Sequence, residues 1–189
     1  KVLVSHQTNK DRIMDNIERE RVFLLKELPK DLLEFKHIDI KIGDVTLSND
    51  INVLKIRQKG DTYEIIKKEY ISEQEKREYV IPLNEEEFGL LFSVTKRRHA
   101  KKRFFYPLDT YICEVDIYVE EMEGYARVEV ECDNVGELKA FNPPSWFGEE
   151  ITAINHEIHE NLGEITCDIM EKRYKERDIS FKKIYLPKA

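Results

Sequence analysis

Cysteine is scarce in this chain. Its three residues, Cys113, Cys132 and Cys167, are odd in number and never take a Cys-x-x-Cys spacing, so neither a disulfide framework nor a zinc knuckle is indicated. Such usage suits a reducing compartment, and a cytoplasmic location is expected. No apolar run approaches the roughly 20 residues of a membrane-spanning helix, and no secretory apolar stretch opens the sequence, so no membrane partner is expected. Glycine and proline number only 7 and 6 in 189 residues, and no glycine-rich phosphate loop occurs. An excess of positive charge is also missing: 31 Lys and Arg stand against 38 Asp and Glu, a net charge of -7. That balance argues against a broad nucleic-acid surface. With no linker, repeat or low-complexity run, one domain is expected over residues 16–189, preceded by a weakly periodic leader over residues 1–15.

What is abundant is charge, 37% of residues, and it is patterned. Glu18 and Glu20, Glu114 and Asp116, Glu129 and Glu131 stand two apart, as do the cations Lys55 and Arg57, Lys96 and Arg98. In an extended strand residues i and i+2 share a face. Each segment then presents one sign, which is unfavourable unless a partner neutralises it. If these strands close on one another, the carboxylates can hold divalent Mg²⁺ or Mn²⁺, ions that prefer hard oxygen ligands. The cations can hold a polyanion, with Arg57 and Arg98 gripping phosphate bidentately and Lys55, Lys68 and Lys96 acting as point charges. The pattern therefore reads as a site for metal-bound polyphosphate.

Periodicity predicts strands over 17–25, 53–57 and 63–68, the latter two joined at Lys59, Gly60 and Asp61, and further strands over 78–83 and 92–99. It also predicts an extended pair, 37–42 and 45–47, around Gly43 and Asp44, a short helix begun near Pro29, and a helix over 85–92 capped by Asn84. Lys101, Lys102 and Arg103 fall in a predicted loop over 100–107, as a lip to the site. Residues 110–120 and 125–132 form the clearest hairpin. On it Cys113, Val115, Ile117 and Val119 face one way with Ala126, Val128, Val130 and Cys132, while the acids face the other. This arrangement is charged inside and apolar outside, and helices near Leu28, Phe88 and Ile158 are expected to cover the exterior. His156 and His159 are three apart rather than the four of a helical zinc-hydrolase motif, and Trp146 reads as a loop anchor.

The segments Glu18-Arg-Glu-Arg-Val-Phe-Leu-Leu-Lys26, Leu54-Lys-Ile-Arg-Gln-Lys-Gly60, Lys96-Arg-Arg98, Glu114-Val-Asp116, Glu129-Val-Glu131 and Pro143-Pro-Ser-Trp-Phe-Gly-Glu-Glu-Ile-Thr152 follow in a telling order. Together they resemble the CYTH superfamily, the triphosphate tunnel metalloenzymes, over about residues 16–180. The run Lys172-Arg-Tyr-Lys175 resembles the superfamily's closing signature. The resemblance implies an α+β fold: a closed eight-stranded antiparallel β-barrel, or tunnel, with a charged interior and helices outside. It implies metal-binding carboxylates at Glu18, Glu20, Glu129 and Glu131, grouped with Glu114 and Asp116, and phosphate binders at Lys55, Arg57, Lys68, Lys96 and Arg98. The departure is at Val22, where the pattern Glu-x-Glu-x-Lys has lysine. Arg21 has the wrong strand parity to replace it. Residues 37–52 also match poorly.

Members of the superfamily hydrolyse tripolyphosphate, thiamine triphosphate or RNA 5′ ends, or cyclise ATP. The expected activity here is metal-dependent hydrolysis of a triphosphate by in-line attack of a metal-activated water, with Glu20 assisting deprotonation and Lys96 and Arg98 stabilising charge. The alternatives are a class IV-type adenylyl cyclase and, prompted by Val22, a polyphosphate or nucleotide binder that has lost catalysis. The expected partner is a small triphosphate or polyphosphate, an RNA 5′ triphosphate being the single nucleic-acid candidate, and the protein is expected to be a monomer or homodimer.

Overall fold

The computed structural model describes residues 14–45, 52–95, 97–155, 158 and 166–187. Among the described residues nine strands form one antiparallel sheet: β1 (Met14–Leu25), β2 (His37–Asp44), β3 (Asn52–Lys59), β4 (Thr62–Tyr70), β5 (Glu75–Leu83), β6 (Arg97–Leu108), β7 (Tyr111–Val119), β8 (Ala126–Glu131) and β9 (Phe147–Glu150). Eight of them close in the order β5-β4-β3-β2-β6-β7-β8-β1, with β1 pairing back to β5 and β9 added outside the ring on β1. Strand β1 closes it by pairing with β5 over residues 14–19 and with β8 over residues 20–24. The predicted eight-stranded antiparallel barrel is therefore present. Gly60, at φ 57°, makes the tight β3–β4 turn, a backbone conformation that costs glycine little. Among the described residues no helix is long and apolar enough to cross a membrane.

The alternation is inverted, as the β7–β8 pattern predicts. Phe23, Leu25, Phe104, Val115, Val128 and Val130 point away from the bore and are buried. Their cover carries Leu32 from a 3-10 turn, Phe141 from the end of the helix over residues 135–140, and Phe147 from β9, with Phe23 edge-on to Phe147 at 5.1 Å. Near Leu28 the expected helix is only the single 3-10 turn Leu32–Glu34. Helix α1 (Glu85–Ser93) sits over β3 and β4, where Phe88 meets Tyr63 at 5.0 Å. Its capping box is reciprocal: the Asn84 side chain accepts from the Glu87 N–H, and the Glu87 carboxylate accepts from the Asn84 N–H, satisfying two otherwise open donors. Helix α2 (Val135–Ala140) contacts β1.

A second apolar cluster differs in position. Val22, Leu24 and Tyr118 share the parity of the bore-facing acids, yet they pack with Tyr125, Ile158 and, from α3 (Cys167–Lys175), Met170 and Tyr174. This end of the bore is closed by buried apolar and aromatic side chains.

Two predicted boundaries are corrected. Gly43 and Asp44 make no turn: β2 runs through them, Gly43 pairing with Ile56 on one side and Arg98 on the other. Glycine is needed there because a Cβ would come within 2.5 Å of Thr95 Oγ1. The sixth strand begins at Arg97, since α1 continues to Ser93, and runs to Leu108. Lys101, Lys102 and Arg103 are thus strand residues rather than a loop; their charge reads as solvated only while the acids opposite are unseen. The leader as far as residue 13, residues 46–50, Lys96, His156, Glu157 and His159 lie outside the described residues.

Because the apolar core is external to the strands, its loss should cost as much as in any interior. Phe23→Ala is expected to destabilise the protein by about 3–5 kcal/mol, measured as a lower denaturant midpoint with unchanged slope.

Candidate active site

Strand parity divides the bore into two walls. The adjacent strands β7, β8 and β1 present Glu114 and Asp116, Glu129 and Glu131, Glu18 and Glu20. The remaining strands present Arg97, Lys101 and Arg103 from β6, Lys55 and Arg57 from β3, Lys68 from β4 and Lys76 from β5. Direct contacts join the walls, and Asp44 of β2 and Glu78 of β5 add two carboxylates on the cationic side. Lys68 Nζ lies 2.6 Å from Glu18 Oε2 and 2.8 Å from Glu78 Oε2; Lys76 bonds Glu20. Arg103 donates to Asp116 at 2.7 Å, to Glu129 at 2.6 Å, and also to Glu114. Lys101 bonds Asp116. Arg97 Nε is 2.5 Å from Asp44 Oδ2, and Lys55 Nζ is 3.9 Å from Asp44 Oδ1. The open end leads to a cavity of 870 Å³, lined by Asn16, Glu18, Glu114 and Glu131 with Tyr111 and Ile112.

These neighbours decide the charge states. Burial would raise Glu129, but Arg127, Arg103 and Lys101 hold its carboxyl well below the usual range. Burial works likewise against Asp116, and Arg103 and Lys101 bring it down. Lys68 stays charged because Glu18, Glu78 and Glu20 outweigh the cost of its burial. Two lysines go the other way: burial brings Lys55 to about 8 despite Asp44, and burial with neighbouring Arg103 brings Lys101 to about 7. A bound polyanion would restore the charge of both, because it supplies the missing opposite sign.

Glu131 is the exception among the acids. Although exposed at the mouth, it is pushed up to about 8, first by lost hydration and then by Glu114, Glu18, Glu129 and Glu20. It makes no ion pair among the described residues. Loss of hydration and mutual repulsion without a cation are what a divalent ion relieves, and a hard oxygen donor set suits Mg²⁺ or Mn²⁺. Among the described residues no three such groups are drawn together closely enough to hold an ion as they stand, since Glu18, Glu20 and Glu129 are engaged by Lys68, Lys76 and Arg103.

Of the sequence-predicted residues, Glu18, Glu20, Lys55, Arg57, Lys68, Glu114, Asp116, Glu129 and Glu131 all face the bore. Arg57 bonds Glu64 there and lies 3.7 Å from Glu78. Arg98 does not: it points outward, donating to the Phe92 and Ser93 carbonyls at the end of α1 at 3.0 and 2.8 Å. The bore-facing phase of β6 is that of Arg97, His99, Lys101 and Arg103. Sequence reasoning missed His99, Asp44, Lys76, Glu78 and Arg127, and set Arg97, Lys101 and Arg103 in a basic lip rather than within the bore. The i,i+2 pair Lys101 and Arg103 carried the same signal as the pairs it selected.

This two-walled barrel can be set beside known proteins. No protein-family profile matches the chain. An inorganic triphosphatase of Nitrosomonas europaea is 32% identical over 137 residues, 71% of this chain and 89% of that protein. The chain belongs to the CYTH superfamily. An inorganic triphosphatase of Acetivibrio thermocellus is 30% identical over 118 residues, 62% of this chain and 69% of that protein. The crystal structure of the inorganic triphosphatase NE1496 superposes with a TM-score of 0.56 at 30% identity, covering 81% of this chain and 94% of that one. The CYTH assignment thus joins a closed barrel to a bore of opposed charges.

His99 provides a pH test of the bore. Burial first, then Lys55, Lys101 and Arg127, lower its imidazole to about 3 against the opposing pull of Asp44. The unfolded chain binds that proton near pH 6.5 and the folded one does not, so stability is full above pH 6.5 and is lost as pH falls. By pH 5 the loss should reach about 2 kcal/mol. Thermal melts between pH 7 and 5 should show a steeper fall for wild type than for His99→Gln; equal slopes would contradict this.

Proposed function

We propose that this chain hydrolyses a small triphosphate, inorganic tripolyphosphate or an organic triphosphate such as thiamine triphosphate, with Mg²⁺ or Mn²⁺. The observation that carries the reading is the meeting of a carboxylate wall and a cationic wall within one bore, in a chain 32% identical to an inorganic triphosphatase. Glu18, Glu114 and Glu131 at the mouth, with Glu20, Asp116 and Glu129, would hold the metal. When bound, the ion supplies Lewis acidity toward phosphate oxygens and cancels the repulsion among these carboxylates.

The protein's own groups do the rest. Lys55, Arg57, Lys68, Lys101 and Arg103 bind and extend the phosphate chain, Arg57 and Arg103 through planar forks that fit phosphate oxygens and the lysines as compact charges. Lys96 adds to this set as a proposal from its sequence position alone. Glu20 accepts the proton of the water that attacks the terminal phosphorus in line. Phosphoryl transfer depends on positioning and charge stabilisation, and the bore would supply both once substrate phosphates and metal replace the contacts that its cations and carboxylates now make with one another. The free cysteines support a reducing, cytoplasmic location.

Purified protein given tripolyphosphate should release phosphate only with Mg²⁺ or Mn²⁺, and chelation should stop it. Glu129→Gln and Glu131→Gln should each lower turnover by roughly 100-fold or more; undiminished turnover would reject their roles. Chromatography after incubation with ATP separates hydrolysis from cyclisation, because cyclic AMP with pyrophosphate would overturn the hydrolase reading.

A further inference from the structure

The acidic wall contains one cation. Inward along β1 stand Glu18, Glu20, Val22 and Leu24; along β7, Glu114, Asp116 and Tyr118; along β8, Arg127, Glu129 and Glu131. Arg127 alone among them is positive. On β1 the superfamily pattern Glu-x-Glu-x-Lys ends instead in Val22, which is 1% exposed and belongs to the apolar closure.

The ladder relates the two positions. Val22 lies directly opposite Glu129, and Leu24 opposite Arg127, so residue 127 is the diagonal neighbour of residue 22, about 7–8 Å away and within reach of a long side chain. Arg127 uses that reach: Nη2 lies 2.5 Å from Oε1 of Glu129, the residue facing Val22, and Nε lies 3.5 Å from Asp116 Oδ2. Its Nη1 donates to Asn155 Oδ1 at 3.0 Å, and its guanidinium stands 5.8 Å from the Tyr118 ring. The side chain is anchored at the inner end of the bore, yet 13% of it stays accessible.

We infer that Arg127 is a substrate-binding cation that takes over the charge the superfamily pattern carries at residue 22. The positive charge has moved one strand across the ladder, from β1 to β8, and Val22 has been released to seal the bore. Arg103 reaches Glu129 from the cationic side; Arg127 sets a second cation beside it on the carboxylate wall, the side on which the superfamily pattern has its lysine, where it can help to receive phosphate oxygens. A guanidinium does this from the diagonal position because its five donors can hold Glu129 and still offer an N–H to a ligand, where an ammonium is a single point charge.

The inference rests on the triphosphatase reading, and its test separates the two. Arg127→Leu, Arg127→Lys, Val22→Lys with Arg127→Leu, and Val22→Met with Arg127→Leu are compared with wild type. The readouts are KM and kcat for tripolyphosphate, calorimetric affinity for tripolyphosphate, and thermal midpoint. Arg127→Leu should raise KM and weaken binding by about tenfold or more, close to the 1.4 kcal/mol that tenfold represents, while still folding. Arg127→Lys should fall between wild type and Arg127→Leu, because it keeps the charge but loses the fork. Val22→Lys in the Arg127→Leu background should recover a large part of what was lost, and Val22→Met, similar in size but uncharged, should not.

Unchanged KM and affinity in Arg127→Leu would overturn the proposal, as would equal recovery by Val22→Met, or no recovery by a folded Val22→Lys double variant. If that double variant does not fold, Arg127→Lys decides: affinity as weak as that of Arg127→Leu rejects a charge role. Wild-type hydrolysis with unaffected Arg127 variants sinks this inference alone. Wild-type protein that binds no tripolyphosphate sinks both.

Discussion

Arg103 is the hinge of the charge balance, held at once by Asp116 and Glu114 from one strand and Glu129 from the next. A buried guanidinium is costly unless carboxylates surround it, and buried carboxylates are costly without the guanidinium. The barrel makes each a condition of the other. Removing either partner would leave the survivor uncompensated in a poorly hydrated interior, so the bore is specified as a set rather than residue by residue. Lys68 with Glu18 and Glu78, and Arg97 with Asp44, extend the same reciprocity around the ring.

Turning charge inward obliges the apolar faces of the strands to turn outward. Phe23, Phe104, Val115 and Val128 therefore find their packing partners in the chain around the barrel, and α1 shields β3 and β4. The layer outside the barrel thus does the work a central core does elsewhere. This explains how a chain of modest hydrophobic content and high charge builds a stable barrel: its apolar residues are concentrated on one face of each strand and covered from beyond it.

Much of this was legible in the sequence where alternation is clean. The hairpin of β7 and β8 announced both its pairing and its inverted faces, because Glu114, Asp116, Glu129 and Glu131 keep strict parity against Val115, Ile117, Val128 and Val130. Parity failed where charges run together. In the stretch from Arg97 to Arg103 nearly every residue is basic, so both faces look alike, and only the strand opposite decides that Lys101 and Arg103 enter the bore while Arg98 folds back onto the end of α1. Asp44 was hidden for a different reason, since Gly-Asp reads as a turn until the crowding of Thr95 against Gly43 is seen. Val22 stood out as a departure, but what it packs against and which residue faces the same space are properties of the ladder.

The aromatic closure built from Val22, Leu24, Tyr118, Tyr125 and Tyr174 gives the barrel a floor. Among the described residues, a vessel with such a floor has one aperture for all traffic. Whatever reaches the deepest cations arrives first and departs last, and nothing new can push it out from behind. Departure then falls to competition at the walls: a fragment shorter than the molecule that entered spans fewer cations, while the carboxylates stand ready to reclaim those it vacates.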